Sequence, residues 1–138
     1  GIVVKSNNEW KIIHAVPDEP DFEGDADRVK MDDVKKFFSA ELAVSGAVMR
    51  IDNDTLMKKA ADKAINIFNH NILFDHDYNL EDSTKMYCTE LIHFIFNSLD
   101  IDLTEGRRSN INAPALSGTY IFPSDIQQNK NLQIIYSY

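Results

Sequence analysis

The stretch DSTKMYCTELI, residues 82–92, holds the only cysteine of the chain and leads directly into the apolar run of residues 91–96. Thr84 to Leu99 reads as a helix apolar nearly all round, with Cys88, Ile92, Ile95 and Leu99 on one face, so it belongs at the centre of the fold. Cys88 falls in its first turn or two. There a thiol gains from the positive end of the helix dipole and from free backbone N–H groups, which also face a developing oxyanion. A free cysteine is equally at home as a small buried hydrophobe. Position alone leaves both readings of Cys88 open.

On its N-terminal side lies a polar, loop-like stretch, residues 69–82, and before that a helix over about residues 55–68. Its apolar stripe is Leu56, Ala60, Ala64 and Ile67, and Asp52, Asn53 and Asp54 offer oxygens to cap it. The chain opens with two β-branched runs, residues 1–5 and 10–16, joined by the polar cluster Ser6-Asn7-Asn8-Glu9, which reads as a hairpin. Residues 17–27 (PDEPDFEGDAD) read as a solvated acidic loop. Residues 30–40 fit a short helix with Asp32 and Asp33 in its first turn, and residues 43–51 a strand. Downstream of the central helix, residues 103–119 read as loop, Tyr120-Ile121-Phe122-Pro123 leads into a turn or helix start at Ser124-Asp125, and residues 132–138 alternate as a closing strand.

A net charge of -8 from 22 acids and 14 bases leaves no electrostatic footprint for a phosphate backbone, so nucleic acid is not an expected partner. No apolar run approaches the roughly 18 residues of a spanning helix, and residues 1–10 lack the features of a signal peptide. One cysteine excludes an internal disulfide, and with four scattered histidines it gives no zinc-type spacing, so no metal or cofactor is expected. The absent initiator Met and the start inside an apparent strand suggest that an N-terminal segment belongs upstream of a single domain covering residues 1–138.

A cysteine nucleophile needs a base. His93, five residues on, lies about 140° around the helix from Cys88 and is excluded. His70 ends a helix beside two asparagines and suits a cap; His76, between Asp75 and Asp77, suits a solvated or structural role. His14 sits late in the second strand among Ile12, Ile13, Ala15 and Val16, where a core histidine and a catalytic one are both at home.

Residues 74–96, FDHDYNLEDSTKMYCTELIHFIF, resemble the cysteine motif of the permuted NlpC-like papain-fold hydrolases, specifically the YiiX/YebB-like branch; Tyr87, Cys88, Thr89, Glu90 and Leu91 match in sequence. The strands Gly1-Ile2-Val3-Val4 and Lys11 to Val16, and the segment Phe122-Pro123-Ser124-Asp125 before a last strand, look like the rest of that pattern. The resemblance implies an α+β, circularly permuted papain-like fold with a small antiparallel sheet packed on the cysteine helix. It implies a thiol hydrolase that cleaves an amide through a thioester, with a small peptide, a cell-wall fragment or an acyl amide as substrate. Cys88 matches the nucleophile and His14 the second-strand residue that orients the catalytic imidazole. That imidazole itself would fall about two positions before Gly1; otherwise His14 is the base. Tyr87 is a candidate to line the substrate site, and Glu90 to support the helix start. Lipid-amide hydrolysis or acyl transfer, with residues 111–116 and the aromatics near Tyr120 lining an acyl groove, and an inactive peptide- or lipid-binding domain are the alternatives. The family suggests a bacterial cell-envelope role, with membrane contact only through a missing N-terminus.

Overall fold

The computed structural model describes residues 1–39, 41, 44–113 and 116–137, and of Leu116 only the backbone. Strand β1 (Ile2–Ser6) and strand β2 (Glu9–Ala15) form the expected hairpin, paired from Ile2 with Ile13 to Ser6 with Glu9. Asn7 and Asn8 both take positive φ, 50° and 66°, the mirror-image turn that matches strand twist and that asparagine tolerates. The third strand, β3 (Val29–Asp33), pairs antiparallel with β2 from Lys11–Asp33 to Ala15–Val29. The first four residues of the helix expected over residues 30–40 are therefore strand, followed by a single helical turn, α1 (Val34–Phe37). The acids assigned to a first helical turn are instead cross-strand partners: Asp33 takes Lys11 and Asp32 takes His14. Ala40, at the end of that expected helix, lies outside the described residues.

Strand β4 (Ala47–Ile51) leads to helix α2 (Asp54–Asn69). Asn53 caps it, its side-chain oxygen accepting the Leu56 N–H at 3.0 Å, and Ala60, Ala64 and Ile67 are its buried stripe. Ala43, where the expected strand began, also lies outside the described residues. Helix α3 (Cys88–Asn97) starts four residues later than expected. Residues 84–87 are held extended instead: the Met86 N–H bonds the Leu73 carbonyl at 3.0 Å, Leu73 bridges Lys85, and the Asp82 side chain takes the Thr84 N–H.

Within residues 103–119, expected as loop, lies most of a second hairpin, β5 (Ser109–Ala113) and β6 (Leu116–Tyr120). Its strands are poor in apolar residues and tied by side chains such as Thr119 on Asn110, 2.7 Å, so no hydrophobic alternation announced them. Pro114 and Ala115, part of the expected acyl groove, lie outside the described residues. A short helix, α4 (Pro123–Gln127), follows, and the closing strand, β7 (Leu132–Ser137), pairs with β4; Tyr138 lies outside the described residues.

The chain is thus α+β, with a three-stranded antiparallel sheet in the order β1-β2-β3 and two two-stranded ribbons. One hydrophobic cluster joins the sheet (Val4, Ile13, Ala15, Val29) to α2 (Ala60, Ala64, Ile67) and α3 (Leu91, Ile95, Phe96). Alternation along β2 turns Ile13 and Ala15 into that cluster and His14 to the other face of the sheet. On α3 the buried stripe runs through Leu91 and Ile95 rather than through Cys88, which is exposed. No described helix is long and apolar enough to cross a membrane.

Candidate active site

Cys88 is the first residue of α3, and the local sequence explains why the helix begins there. The Glu90 carboxylate reaches back to accept the Tyr87 N–H at 3.1 Å, the half of a capping box that closes the entry. The N–H groups of Cys88 and Thr89 belong to the first turn, whose donors have no partner within the helix. Two side chains flanking Cys88 pin this end to the rest of the fold through one residue: the Thr89 hydroxyl donates to the Ile121 carbonyl at 2.5 Å, and the Tyr87 hydroxyl accepts the Ile121 N–H at 3.0 Å. Tyr87 is 2% exposed, so its side chain is a strut in this conformation and offers a substrate no surface. Its ring lies 5.1 Å from that of Tyr78, and Tyr78, Tyr120 and Phe122 continue as an aromatic row whose Tyr78 and Phe122 ends are exposed. Burial pushes the Glu90 carboxyl up to about 7.

The start of β1 lies within electrostatic reach of Cys88. Gly1 retains solvent exposure, yet its amino group is surrounded by enough protein to be pulled down to about 6 by desolvation, with the charge of Cys88 acting in the opposite sense. Gly1 also backs directly onto β2. A Cβ there would stand 2.6 Å from Ile12 Cγ2, 2.9 Å from the Ile13 carbonyl oxygen and 3.1 Å from His14 Cβ, so only glycine permits this approach.

His14 is 4% exposed and shares a 2.9 Å hydrogen bond between Nε2 and Asp32 Oδ2. Desolvation lowers its pKa, while hydrogen bonds from Lys36 and His14 outweigh burial and lower that of Asp32. A neutral imidazole beside an ionised, acceptor-only carboxylate must donate from Nε2. That leaves Nδ1 with a bare lone pair, and it is buried without a hydrogen-bond partner. Phe37 covers the ring edge-on at 5.1 Å.

The third donor, Glu19, comes from the 17–27 loop, whose charges do more than solubilise. Lys30, 2% exposed and opposite His14 in the strand register, donates to the Glu19 carbonyl and lies 3.3 Å from Asp25; Arg28 holds Asp21 and Asp25. This anchoring brings donor atoms of His14, Glu19 and Asp32 within 4.8 Å of one another. Sequence spacing could not show this grouping, because the three residues meet only through the β2–β3 register and a loop pinned by a buried lysine.

The structure therefore brings Cys88 to the Gly1 end of the sheet and His14 to Asp32, but it makes no hydrogen bond between His14 and Cys88. The other imidazoles are elsewhere engaged: His70 bonds the Asn66 carbonyl at the end of α2, exposed His76 pairs with Asp27 at 3.1 Å, and His93 lies between Arg108 and Asp102.

No protein-family model matches this sequence, and no curated protein matches it. Among solved structures the chain is similar to the metalloprotein yiiX from Escherichia coli O157:H7, with a TM-score of 0.73 at 15% identity over 99% of this chain and 80% of that one. The fold is yiiX-like. At that identity the likeness covers architecture, and the chemistry has to be argued from the side chains described above.

Proposed function

We propose that this chain is a thiol hydrolase of the permuted papain-like type, cleaving an amide with Cys88 as nucleophile. The observation that carries the reading is the exposed thiol on the first residue of α3, at the end of the helix where backbone N–H groups lack intrahelical partners. The Cys88 thiolate adds to the amide carbonyl, and the Cys88 and Thr89 N–H groups face the oxygen as it gains charge. The C–N bond breaks, the amine leaves with a proton from the imidazolium, and a thioester remains. Water, giving its proton to the imidazole, then releases the acid and restores the thiol.

The reading assigns the proton acceptor to an imidazole two residues before Gly1 in a longer chain, as the resemblance implies. Gly1 backs onto His14, a Cβ on it standing 3.1 Å from His14 Cβ, so a residue shortly before Gly1 enters the chain close to His14. His14, fixed by Asp32, then orients the acceptor; the alternative acceptor is His14 itself through its bare Nδ1. The aromatic row from Tyr78 to Phe122 beside Tyr87 favours substrates with an apolar acyl part over purely polar peptides.

Iodoacetamide labelling of the full-length protein at about pH 6 tests the assignment. An activated Cys88 reacts well ahead of glutathione, as expected of a thiolate stabilised by an imidazolium and a helix N-terminus. A rate no faster than that of glutathione removes the nucleophile and leaves a binding domain with an idle thiol.

A further inference from the structure

The hydrolase reading leaves one built cluster without a full account: two carboxylates and a buried neutral imidazole, assembled from β2, β3 and the 17–27 loop. We propose that His14 Nε2, Glu19 and Asp32 form a zinc site. Its donor set is one imidazole nitrogen and two carboxylate oxygens, the borderline-to-hard mixture that Zn2+ accepts.

The geometry is close to what the ion requires. With zinc–nitrogen and zinc–oxygen bonds of about 2.1 Å, tetrahedral ligand atoms lie about 3.4 Å apart. His14 Nε2 and Asp32 Oδ2 are at 2.9 Å, and all three donors already lie within 4.8 Å. Glu19 is half-buried on a loop and has to close by no more than about 1.5 Å to reach a tetrahedral edge. The proton balance also closes. Zinc takes the place of the proton shared by His14 and Asp32, and that proton moves to Nδ1, the one ring nitrogen with no partner. A water completes the coordination.

Two cations face the cluster. The Lys36 ammonium sits on the other oxygen of Asp32 at 2.8 Å and the Lys30 ammonium on the Glu19 carbonyl. Lys36 is the one that competes for a ligand carboxylate from the surface, since half of its side chain is exposed. Removing it should strengthen zinc binding, an effect that a merely structural Asp32 would not produce.

The test is calorimetric titration of the folded chain with Zn2+, paired with Co2+ absorption in the visible as a report of nitrogen and oxygen ligation. One ion per chain is expected. Glu19→Gln, which keeps shape and sits on the loop, weakens Zn2+ at least about tenfold, the scale of losing one ligand contact. Lys36→Met tightens it, and Cys88→Ser leaves it unchanged. No binding by the wild-type chain, an unaffected Glu19→Gln, or loss of binding in Cys88→Ser each overturns the site. Because none of these outcomes depends on amide cleavage, zinc binding and thiol hydrolysis fail or stand separately.

Discussion

Glu90 sits two residues into the cysteine helix, 5% exposed, accepting the Tyr87 N–H, and burial raises its pKa from 4.5 to about 7, with the charges of Asp75 and Asp82 adding to the rise. A group whose folded pKa lies above its unfolded one stabilises the fold fully below the unfolded value and loses that contribution as pH climbs through the folded one. Stability contributed by Glu90 is therefore complete below about pH 4.5 and lost between there and about pH 7. At about 1.36 kcal/mol per pKa unit the difference is at most about 3 kcal/mol. Glutamine at this position retains an oxygen for the Tyr87 N–H and carries no charge to desolvate, but it forgoes a dipole interaction of about 0.3–1 kcal/mol. We expect Glu90→Gln to match the wild type at pH 4 and to exceed it by about 2 kcal/mol at pH 8, read by urea denaturation across that range. Glu90→Ala, which removes the acceptor as well, costs about 1 kcal/mol at pH 5 by leaving the buried Tyr87 N–H unpaired. Parallel pH profiles for wild type and Glu90→Gln would refute the burial argument, and with it the assignment of Glu90 as a cap that is neutral at mildly acid pH.

Tyr87→Phe leaves the Ile121 N–H without its acceptor and should cost about 1–2 kcal/mol in thermal or chemical unfolding, with Cys88 alkylation then reporting whether the helix end has moved. Leu91→Ala, at the fully buried centre of α3, should cost about 2–5 kcal/mol by the same measurement. Asn53→Ala removes the α2 cap for about 1 kcal/mol, whereas Asn53→Asp retains it. Lys30→Ala leaves Asp25 to Arg28 alone and the Glu19 carbonyl without its donor, and should cost about 1–3 kcal/mol while exposing the 17–27 loop to limited proteolysis.

Much of this arrangement was legible where one physical rule acts locally. The β1–β2 hairpin followed from its polar turn, α2 from its stripe and Asn53, and the α3 core from its apolar content. The errors share a different cause. Residues 30–33 carry acids that favour a helix start, but pairing with β2 gives those same acids cross-strand partners, so tertiary context overrode the local preference. The start of α3 was misplaced because the bridge from Leu73 to Lys85 is non-local. Cys88 was grouped with a buried stripe by angular position, yet at the first residue of a helix the stripe has run out and the thiol meets solvent. Asp32 and Glu19 were missed as neighbours of His14 because their proximity depends on strand register and on a loop held by Lys30.

His14 is where the two chemistries meet, and the zinc site offers a way to tell its roles apart. In the metal-free chain its Nδ1 is bare and its Nε2 proton is held by Asp32, so it is built either to accept a proton or to hold another group in place. Zinc on Nε2 sends the ring proton to Nδ1 and removes the only nitrogen able to act as a base. If His14 is the acceptor for Cys88, adding Zn2+ slows alkylation of the thiol, and Glu19→Gln abolishes the slowing without touching the basal rate. If His14 only orients a neighbour, the thiol rate in this chain is indifferent to zinc, because no hydrogen bond joins His14 to Cys88. The geometry favours the second outcome: β2 turns His14 toward Asp32 and Phe37.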